Sequence, residues 1–263
     1  MDSTREEVDK ELKRAFKTKG LKGCQKLIET RLSEWRRIPM NIAVIGSSDT
    51  GKSSLVNAFL DLDADDDGAT AVGCEETTRT IAEYKHPDNE QLVFTDLPGV
   101  ASSDFPQAKY MEETDVDKYD FFLLVTSKRF LETDAWLAEE LIKRNKKFLL
   151  VRTHMDEDVM VNDERAHCDC LNEDELIAQI RAETETQLRI LWTSASPNDM
   201  KVFVLDSYGT DKYDFPALER QLIENFPAPK QEALLLTLRT KYKEMIDQKV
   251  VCLRSRIWKA AAL

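Results

Sequence analysis

The sequence contains no apolar run long enough to cross a membrane and no apolar signal core near its start. A transmembrane helix needs about 20 consecutive apolar residues, whereas the longest apolar runs here have the length of strands, such as Phe121 to Val125. We therefore expect no membrane-spanning helix and no secretory signal. Because residue 2 is Asp rather than Gly, we also expect no N-myristoyl group.

Cysteine and positive charge are both scarce. Five scattered cysteines do not form the even, closely spaced set of a disulfide framework, so we expect reduced thiols in the cytosol. The chain carries 37 basic and 49 acidic residues and a formal net charge of −12. Such a balance argues against broad binding to the phosphate backbone of DNA or RNA, so we expect no nucleic-acid partner.

The 263 residues suffice for one substantial domain with flanking elements, and three regions can be distinguished. Residues 1–38 are predicted to form a helical segment that Gly20 and Gly23 divide into two helices. Residues 39–227 alternate between strand-like and helix-like patterns. Residues 228–263 are predicted to form one amphipathic helix.

The central region predicts an α/β fold. Its strand-like runs are Ile42–Ile45, Thr80–Tyr84, Leu92–Thr95, Phe121–Thr126, Phe148–Arg152 and Val202–Leu205. Helical patterns at 52–60, 134–146, 172–191 and 216–225 lie between several of them. Short apolar strands that alternate with helices indicate a mostly parallel sheet covered by helices on both faces.

The strongest motif is GSSDTGKS, which fits the P-loop pattern GxxxxGK[ST] at every fixed position and lies between an apolar strand and a helical segment. Glycines allow the loop to approach a phosphate closely, and the helix N-terminus directs amides at the anion. Lys52 would contact the β- and γ-phosphates, and the Ser53 hydroxyl would bind Mg²⁺. The nucleotide-binding candidates here are Gly46, Asp49, Thr50, Gly51, Lys52, Ser53 and Ser54.

A second motif, Asp96-Leu97-Pro98-Gly99, follows the apolar run Leu92–Thr95. This DxxG element predicts that Asp96 holds Mg²⁺ and that the amide of Gly99 contacts the γ-phosphate. Between the two motifs lies the polar segment GCEETTRT, in which either Thr77 or Thr78 offers a hydroxyl to Mg²⁺ and an amide to the γ-phosphate. The sequence alone does not show which of these two threonines has this role.

A third motif follows the run Phe148–Arg152. Thr153-His154-Met155-Asp156 stands where a GTPase carries [NT]KxD, and a carboxylate at Asp156 can accept both N1–H and the exocyclic amine of guanine. Adenine lacks this pair of donors, so GTP is favoured over ATP. His154 replaces the usual Lys, and its imidazole can stack on the base. Asp206 and Ser207 follow the last strand, at a position where backbone amides commonly meet the base.

Taken in order, the segments GSSDTGKSS, GCEETT, YKHP, FTDLPGV, YDFFLLVTSKRF, FLLVRTHMDED and YDFP resemble the vertebrate immunity-related GTPases. These are interferon-inducible resistance proteins that act on vacuoles containing pathogens and on endomembranes. The resemblance runs from about residue 39 to 227 and continues more weakly to the C-terminus. Members of the family continue into a larger C-terminal helical domain, of which only the first helix is recognisable here.

The resemblance implies further roles. Thr78 corresponds to the switch threonine and Gly73 to a switch-loop glycine, while Glu76 matches a glutamate used at a dimer interface across two nucleotide sites. Lys52 places the chain with the members that keep GKS. The family binds GTP and GDP, forms nucleotide-dependent oligomers and hydrolyses GTP slowly until it dimerises. The catalytic candidates are Lys52, Glu76, Thr78 and Gly99, and the metal ligands are Ser53, Thr78 and Asp96.

The residue after DxxG is Val100, which cannot orient a water molecule as the Gln of a small GTPase does. We therefore expect slow intrinsic hydrolysis that a second copy accelerates by forming a homodimer through the nucleotide face. Two alternatives stay open: a regulator that binds GTP, hydrolyses little and acts by binding partners, and a P-loop ATPase or small-molecule kinase. The basic C-terminal segment is expected to dock on its own domain, with peripheral contact to intracellular membranes as the alternative.

Overall fold

A computed structural model describes residues 2–70, 80–100, 106–164, 171–191 and 201–261. Within these residues the chain forms a six-stranded sheet in the order β2-β3-β1-β4-β5-β6. Strand β2 is antiparallel to β3, and the other neighbours are parallel. The strands are β1 Met40–Gly46, β2 Ala82–His86, β3 Asn89–Asp96, β4 Phe121–Thr126, β5 Phe148–Arg152 and β6 Val202–Val204.

Helices cover both faces of the sheet. They are α1 Asp2–Leu32, α2 Lys52–Leu60, α3 Gln107–Glu113, α4 Glu132–Lys143, α5 Met155–Glu164, α6 Glu173–Leu191, α7 Phe215–Glu224, α8 Ala228–Thr237 and α9 Lys243–Ala261. The predicted α/β fold with a mostly parallel sheet and terminal helical extensions is confirmed. The boundaries of the three regions at 38/39 and 227/228 stay predictions.

The helices of the two terminal regions can be compared with those predicted from the sequence. Gly20 interrupts α1 with a positive φ of 62°, whereas Gly23 lies within the continuing helix. The single helix predicted for 228–263 is wrong, because α8 and α9 are separate helices. Leu238 leaves the helical conformation at φ −58° and ψ 133°, and Arg239 then forms an ion pair with Asp88 at 2.6 Å. A contact this distant in sequence is invisible to local periodicity.

The sheet separates two apolar clusters and thereby fixes the place of the site. One cluster packs α2, α7, α8 and α9 on one face, through residues such as Phe59, Leu218 and Met245. The other packs α3, α4 and α6 on the opposite face, through Tyr110 and Leu137 among others. Because β1 has β3 on one side and β4 on the other, the order reverses at the carboxyl end of β1. Open parallel sheets bind ligands at such a switch point.

Candidate functional site

The predicted phosphate loop leaves the carboxyl end of β1 and leads directly into α2. A Cβ placed on Gly46 would lie 2.1 Å from the carbonyl oxygen of Val125, so only glycine fits beside β4. Gly51 has a φ of +76° in the left-handed region and is the N-cap of α2. Gly46 lets the loop pass close to β4. Gly51 lets the chain turn into α2, whose amino end then faces the space enclosed by the loop.

Within the loop, the side chain of Lys52 is almost completely buried. Its Nζ donates to the carbonyl oxygen of Ser47 at 2.6 Å, and Thr50 Oγ1 donates to the same oxygen at 3.0 Å. The cation is therefore held over the loop backbone, within reach of an anion bound by the loop amides.

The two predicted metal ligands that lie in the described part of the chain are in direct contact. Ser53 Oγ donates to Asp96 Oδ2 at 2.5 Å, and Asp96 is buried at the end of β3. A hydroxyl and a carboxylate are the hard oxygen donors that Mg²⁺ prefers. No cluster of three or more His, Cys, Asp or Glu side chains suited to a metal occurs among the described residues.

The DxxG segment lies against the phosphate loop. A Cβ on Gly99 would come within 2.2 Å of Ser48 Oγ and 2.7 Å of the Ser48 amide nitrogen. The amide of Val100 donates to the carbonyl oxygen of Gly46 at 3.3 Å, and the Val100 side chain is buried. The side chain of Val100 thus packs in one of the two apolar clusters.

Tyr110, which the sequence patterns did not single out, anchors this segment from α3. Its hydroxyl donates to the carbonyl oxygen of Pro98 at 2.7 Å, and its side chain is fully buried. Burial raises the pKa of Tyr110, and the nearby charge of Asp96 raises it further. The phenol therefore stays protonated and keeps its donor.

The predicted switch residues Gly73, Glu76, Thr77 and Thr78 lie outside the described residues. The segment that leads to them is attached to α2. The amide of Thr70 donates to Asn57 Oδ1 at 2.7 Å, and Thr70 Oγ1 donates to the carbonyl oxygen of Ser53 at 2.8 Å. Thr70 therefore contacts both α2 and the backbone of Ser53.

The predicted base loop contacts the phosphate loop through Thr153 and His154. Thr153 is buried, and its Oγ1 lies 2.7 Å from the carbonyl oxygen of Thr50 and 3.1 Å from that of Thr126. His154 adopts a left-handed φ of 60°. Its Nε2 lies 3.3 Å from the position that a Cβ on Gly51 would take. The imidazole therefore covers the glycine at the amino end of α2.

A chain of polar contacts orients this imidazole. His154 Nδ1 lies 2.9 Å from Glu157 Oε1, and Glu157 Oε2 lies 2.8 Å from Lys128 Nζ. Among the described residues, His154 Nε2 and Ser207 Oγ are buried atoms that have no hydrogen-bond partner. Since buried polar atoms are normally paired, two such atoms in loops beside the phosphate site fit a ligand that would satisfy them.

The carboxylates predicted for the base pocket, Asp156 and Asp206, follow the carboxyl ends of β5 and β6. Asp156 is exposed in the first turn of α5, and Asp206 is half-buried. Burial raises the pKa of Tyr213 to about 12, with contributions from Glu173, Asp206 and Asp156, so both aspartates act on one phenol. The acidic first turn of α5 favours a helix start through the helix dipole, and this signal could have identified the helix from the sequence.

Tyr208 is a further residue that the sequence patterns missed. Its side chain is exposed, and its hydroxyl lies 3.4 Å from Ser54 Oγ across the mouth of the site. The Tyr208 amide donates to Asp206 Oδ1 at 2.8 Å, which fixes the loop. A cavity of about 300 Å³ opens beside it, lined by Ser54, Ser207 and Lys241 among others.

The structure thus brings the phosphate loop, the Ser53–Asp96 pair, Gly99 and both base loops to one edge of the sheet. The arrangement can bind a polyphosphate through amides and Lys52, hold a divalent cation and enclose a base between two loops. The roles of the individual residues stay predictions.

The sequence profile of the interferon-inducible GTPase family (IIGP) matches residues 5–263. Interferon-gamma-inducible GTPase 10 of Mus musculus is 32% identical over 232 residues, which cover 88% of this chain and 54% of that protein. Interferon-inducible GTPase 5 of Rattus norvegicus is 31% identical over 250 residues, which cover 95% and 53%. The chain therefore spans about half the length of these relatives.

Among solved structures, the chain is similar to LeoA, a bacterial dynamin GTPase from ETEC. The TM-score is 0.50 at 16% identity, and the match covers 97% of this chain and 49% of that one. At this identity the likeness concerns the fold alone. Across the part of the chain that the structure describes, no helix has the length and apolar character needed to span a membrane.

Proposed function

Because this chain belongs to the interferon-inducible GTPase family, we propose that it binds GTP and GDP together with Mg²⁺ and hydrolyses GTP. The observation that carries this proposal is the convergence of the phosphate loop, the Ser53–Asp96 pair and Gly99 at one sheet edge. In the nucleotide complex, Lys52 contacts the β- and γ-phosphates, and the Gly99 amide contacts the γ-phosphate.

Mg²⁺ bound at this site would neutralise charge on the β- and γ-phosphates. Ser53 and Asp96 are its proposed ligands in the described chain, and Thr78 is the third, by resemblance to the family. Thr77 and Gly73, in the same switch segment, are also proposed to contact the nucleotide. The link from Ser53 through Thr70 supports a segment that responds to the nucleotide.

Guanine is the proposed base. Asp156 accepts its two N–H donors, Thr153 and His154 form the wall towards the phosphates, and Asp206 and Ser207 form the opposite wall. The orphaned Nε2 of His154 and Oγ of Ser207 support a ligand between these loops. Among the described residues, no observation favours an ATPase or kinase over a GTPase.

Intrinsic hydrolysis is proposed to be slow. Val100 occupies the position from which a small GTPase orients water, and its buried aliphatic side chain cannot do so. A group supplied by a partner can accelerate GTP hydrolysis by roughly 10⁵-fold. We propose that a second copy supplies it in a homodimer formed through the nucleotide face, with Glu76 at the interface.

Phosphate release under multiple turnover tests the hydrolytic proposal, with GTP and ATP offered separately and in competition. We expect turnover of GTP that ATP does not inhibit, and none in Lys52→Ala. Turnover of ATP in preference to GTP would contradict guanine recognition.

A second candidate function has one observation in its favour. With Val100 buried, the described site contains no side chain placed to orient water, which favours a GTP-binding regulator that acts through partners and barely hydrolyses. Tight GTP binding without phosphate release at any protein concentration identifies this alternative.

The proposed cellular role is cell-autonomous innate immunity, in the cytoplasm and at intracellular membranes. Helix α9 supports the peripheral contact. It buries Met245 against the core but leaves Ile246, Val250, Leu253 and Ile257 partly exposed. Vesicle sedimentation with and without anionic lipid tests the contact. Binding should require anionic lipid and weaken with salt, and equal binding to neutral vesicles would contradict it.

A further inference from the structure

A carboxylate lies completely buried behind the phosphate loop, at a position that the motifs did not indicate. Asp134 is in the first turn of α4, and its side chain has 0% exposure. Asp134 Oδ1 accepts from Ser47 Oγ at 3.2 Å, and Oδ2 accepts from the Leu131 amide at 3.0 Å. Oδ2 also lies 3.0 Å from Thr126 Oγ1. Burying a charge is costly unless it is hydrogen-bonded, so this arrangement of donors requires an explanation.

Helix capping explains only half of the arrangement. The bond from the Leu131 amide to Oδ2 caps the amino end of α4, and a capping side chain performs this role at the surface of most helices. It does not require complete burial, and it does not require the second oxygen to reach a different loop. The contact between Oδ1 and Ser47 is therefore additional to capping.

The hydroxyl of Thr133 extends this hydrogen-bond network beyond Ser47. Its Oγ1 lies 3.0 Å from Ser47 Oγ. Because the single hydroxyl proton of Ser47 is donated to Asp134, Thr133 must donate to Ser47. Two adjacent residues of α4 thus fix the side chain of one phosphate-loop residue.

Ser47 in turn organises the phosphate loop through its backbone. The carbonyl oxygen of Ser47 accepts from both Lys52 Nζ and Thr50 Oγ1. On the other side of Asp134, the carbonyl oxygen of Thr126 accepts from the Thr153 amide at 3.0 Å. Asp134 therefore lies where the phosphate loop, the end of β4 and the base loop meet.

We propose that Asp134 is a positioning residue for nucleotide binding. Through Ser47, it holds the phosphate loop in the conformation that accepts the phosphates of a nucleoside diphosphate or triphosphate. The inference rests on the proposed nucleotide binding and adds a residue on which the affinity depends, although it does not touch the ligand.

The test compares GDP affinity in Mg²⁺ for the whole chain and two variants. Asp134→Asn keeps the shape but replaces one acceptor by an amide, and hydrogen bonds to charged groups are among the stronger ones in proteins. We expect the affinity to fall about tenfold or more. Glu132→Gln is the matched control, since it removes the same charge at an exposed position two residues earlier. Its affinity should equal that of the wild type.

A double-mutant cycle with Ser47→Ala separates positioning from general support of the fold. If Asp134 acts through Ser47, the double variant binds GDP no more weakly than Asp134→Asn alone. Losses that simply multiply would overturn the proposed route. If Asp134→Asn melts before binding can be measured, Ser47→Ala alone removes the contact between Asp134 and the phosphate loop without altering charge. It should weaken GDP binding several-fold, and unchanged affinity would overturn the proposal.

The result separates this inference from the function on which it rests. A wild type that binds neither GDP nor GTP contradicts the proposed function itself. A wild type that binds, together with Asp134→Asn that binds as tightly as Glu132→Gln, contradicts only the role of Asp134.

Discussion

At the scale of single residues, the proposed recognition of guanine depends on the pair of loops around Asp156 and Asp206. The two carboxylates share Tyr213 as a neighbour, although they come from the ends of different strands. Only Asp156 matches the position of a guanine-reading carboxylate.

We predict that Asp156→Asn shifts preference from guanosine to xanthosine nucleotides. The amide replaces an acceptor by a donor, which pairs with the carbonyl that xanthine carries in place of the guanine amine. Competition binding of GDP against xanthosine diphosphate measures the shift. Asp158 is not suitable as a control because it is half-buried and pairs with buried Arg152 at 2.6 Å, so Asp163→Asn, at an exposed position farther along α5, serves instead. An unchanged preference in Asp156→Asn would remove this residue from the base pocket.

Gly99 provides a second prediction at this scale. A methyl group there would overlap the backbone nitrogen of Ser48 at 2.7 Å, so Gly99→Ala must push the phosphate loop aside. We expect GDP affinity to fall by about tenfold or more, as for other overpacked sites that cost 1–3 kcal/mol. Gly68→Ala is the control, since a Cβ there meets nothing within 4 Å. Its positive φ of 91° lowers stability slightly but leaves GDP affinity unchanged. Wild-type affinity in Gly99→Ala would mean that the two loops are not in contact.

At the scale of secondary structure elements, the junction between α7 and α9 contains a buried acid. Glu219 on α7 is 4% exposed, and burial raises its pKa to about 7 against the opposing charge of Lys249 on α9. Asp61 and Lys241 also act on it, and Thr240 donates to it. The folded chain therefore retains a proton that the unfolded chain loses from about pH 4.5 upward.

The upward direction of the Glu219 pKa shift determines how the free energy of unfolding changes with pH. The folded pKa is raised, so the contribution of Glu219 is most favourable below the unfolded pKa, declines between about pH 4.5 and 7, and levels off above. We predict that Glu219→Gln removes this decline, which amounts to on the order of 2–3 kcal/mol. Urea unfolding at pH 5 and pH 8 measures it. Glu224→Gln, at an exposed position on the same helix, should keep the wild-type difference. Identical pH dependence in Glu219→Gln and wild type would refute the assignment.

The elements also show what local patterns can and cannot predict. Strands β4 and β5 match the predicted Phe121–Thr126 and Phe148–Arg152 because both are central in the sheet and read as unbroken apolar runs. Helix α5 was missed because its signal is an acidic first turn rather than an apolar stripe.

In the candidate site, too, some residues could be predicted from the sequence and others could not. The glycines, Lys52, Ser53 and Asp96 belong to motifs whose spacing encodes their chemistry, so they could be predicted. Tyr110, Asp134 and Tyr208 reach the site from α3, α4 and the loop after β6. Their roles depend on tertiary packing, which one sequence does not display.

At the scale of the whole molecule, the proposed homodimer would supply the group for orienting water that Val100 does not offer. We predict that specific GTPase activity rises with protein concentration through the range in which dimers form. Light scattering on the same samples measures the dimer. Glu76→Ala should bind GDP normally but lose the rise in activity. Flat specific activity across the dimerisation range would contradict activation by a second copy.

The proposed function depends on a Mg²⁺-dependent guanine nucleotide site built on Lys52, Ser53 and Asp96. Calorimetric titration of the chain with GTP, GDP and ATP, in Mg²⁺ and in its absence, measures this site. We expect one site per chain that binds GTP and GDP, rejects ATP, binds GTP more tightly with Mg²⁺ and is lost in Lys52→Ala. Equal affinity for ATP and GTP, or undiminished binding in Lys52→Ala, would contradict it.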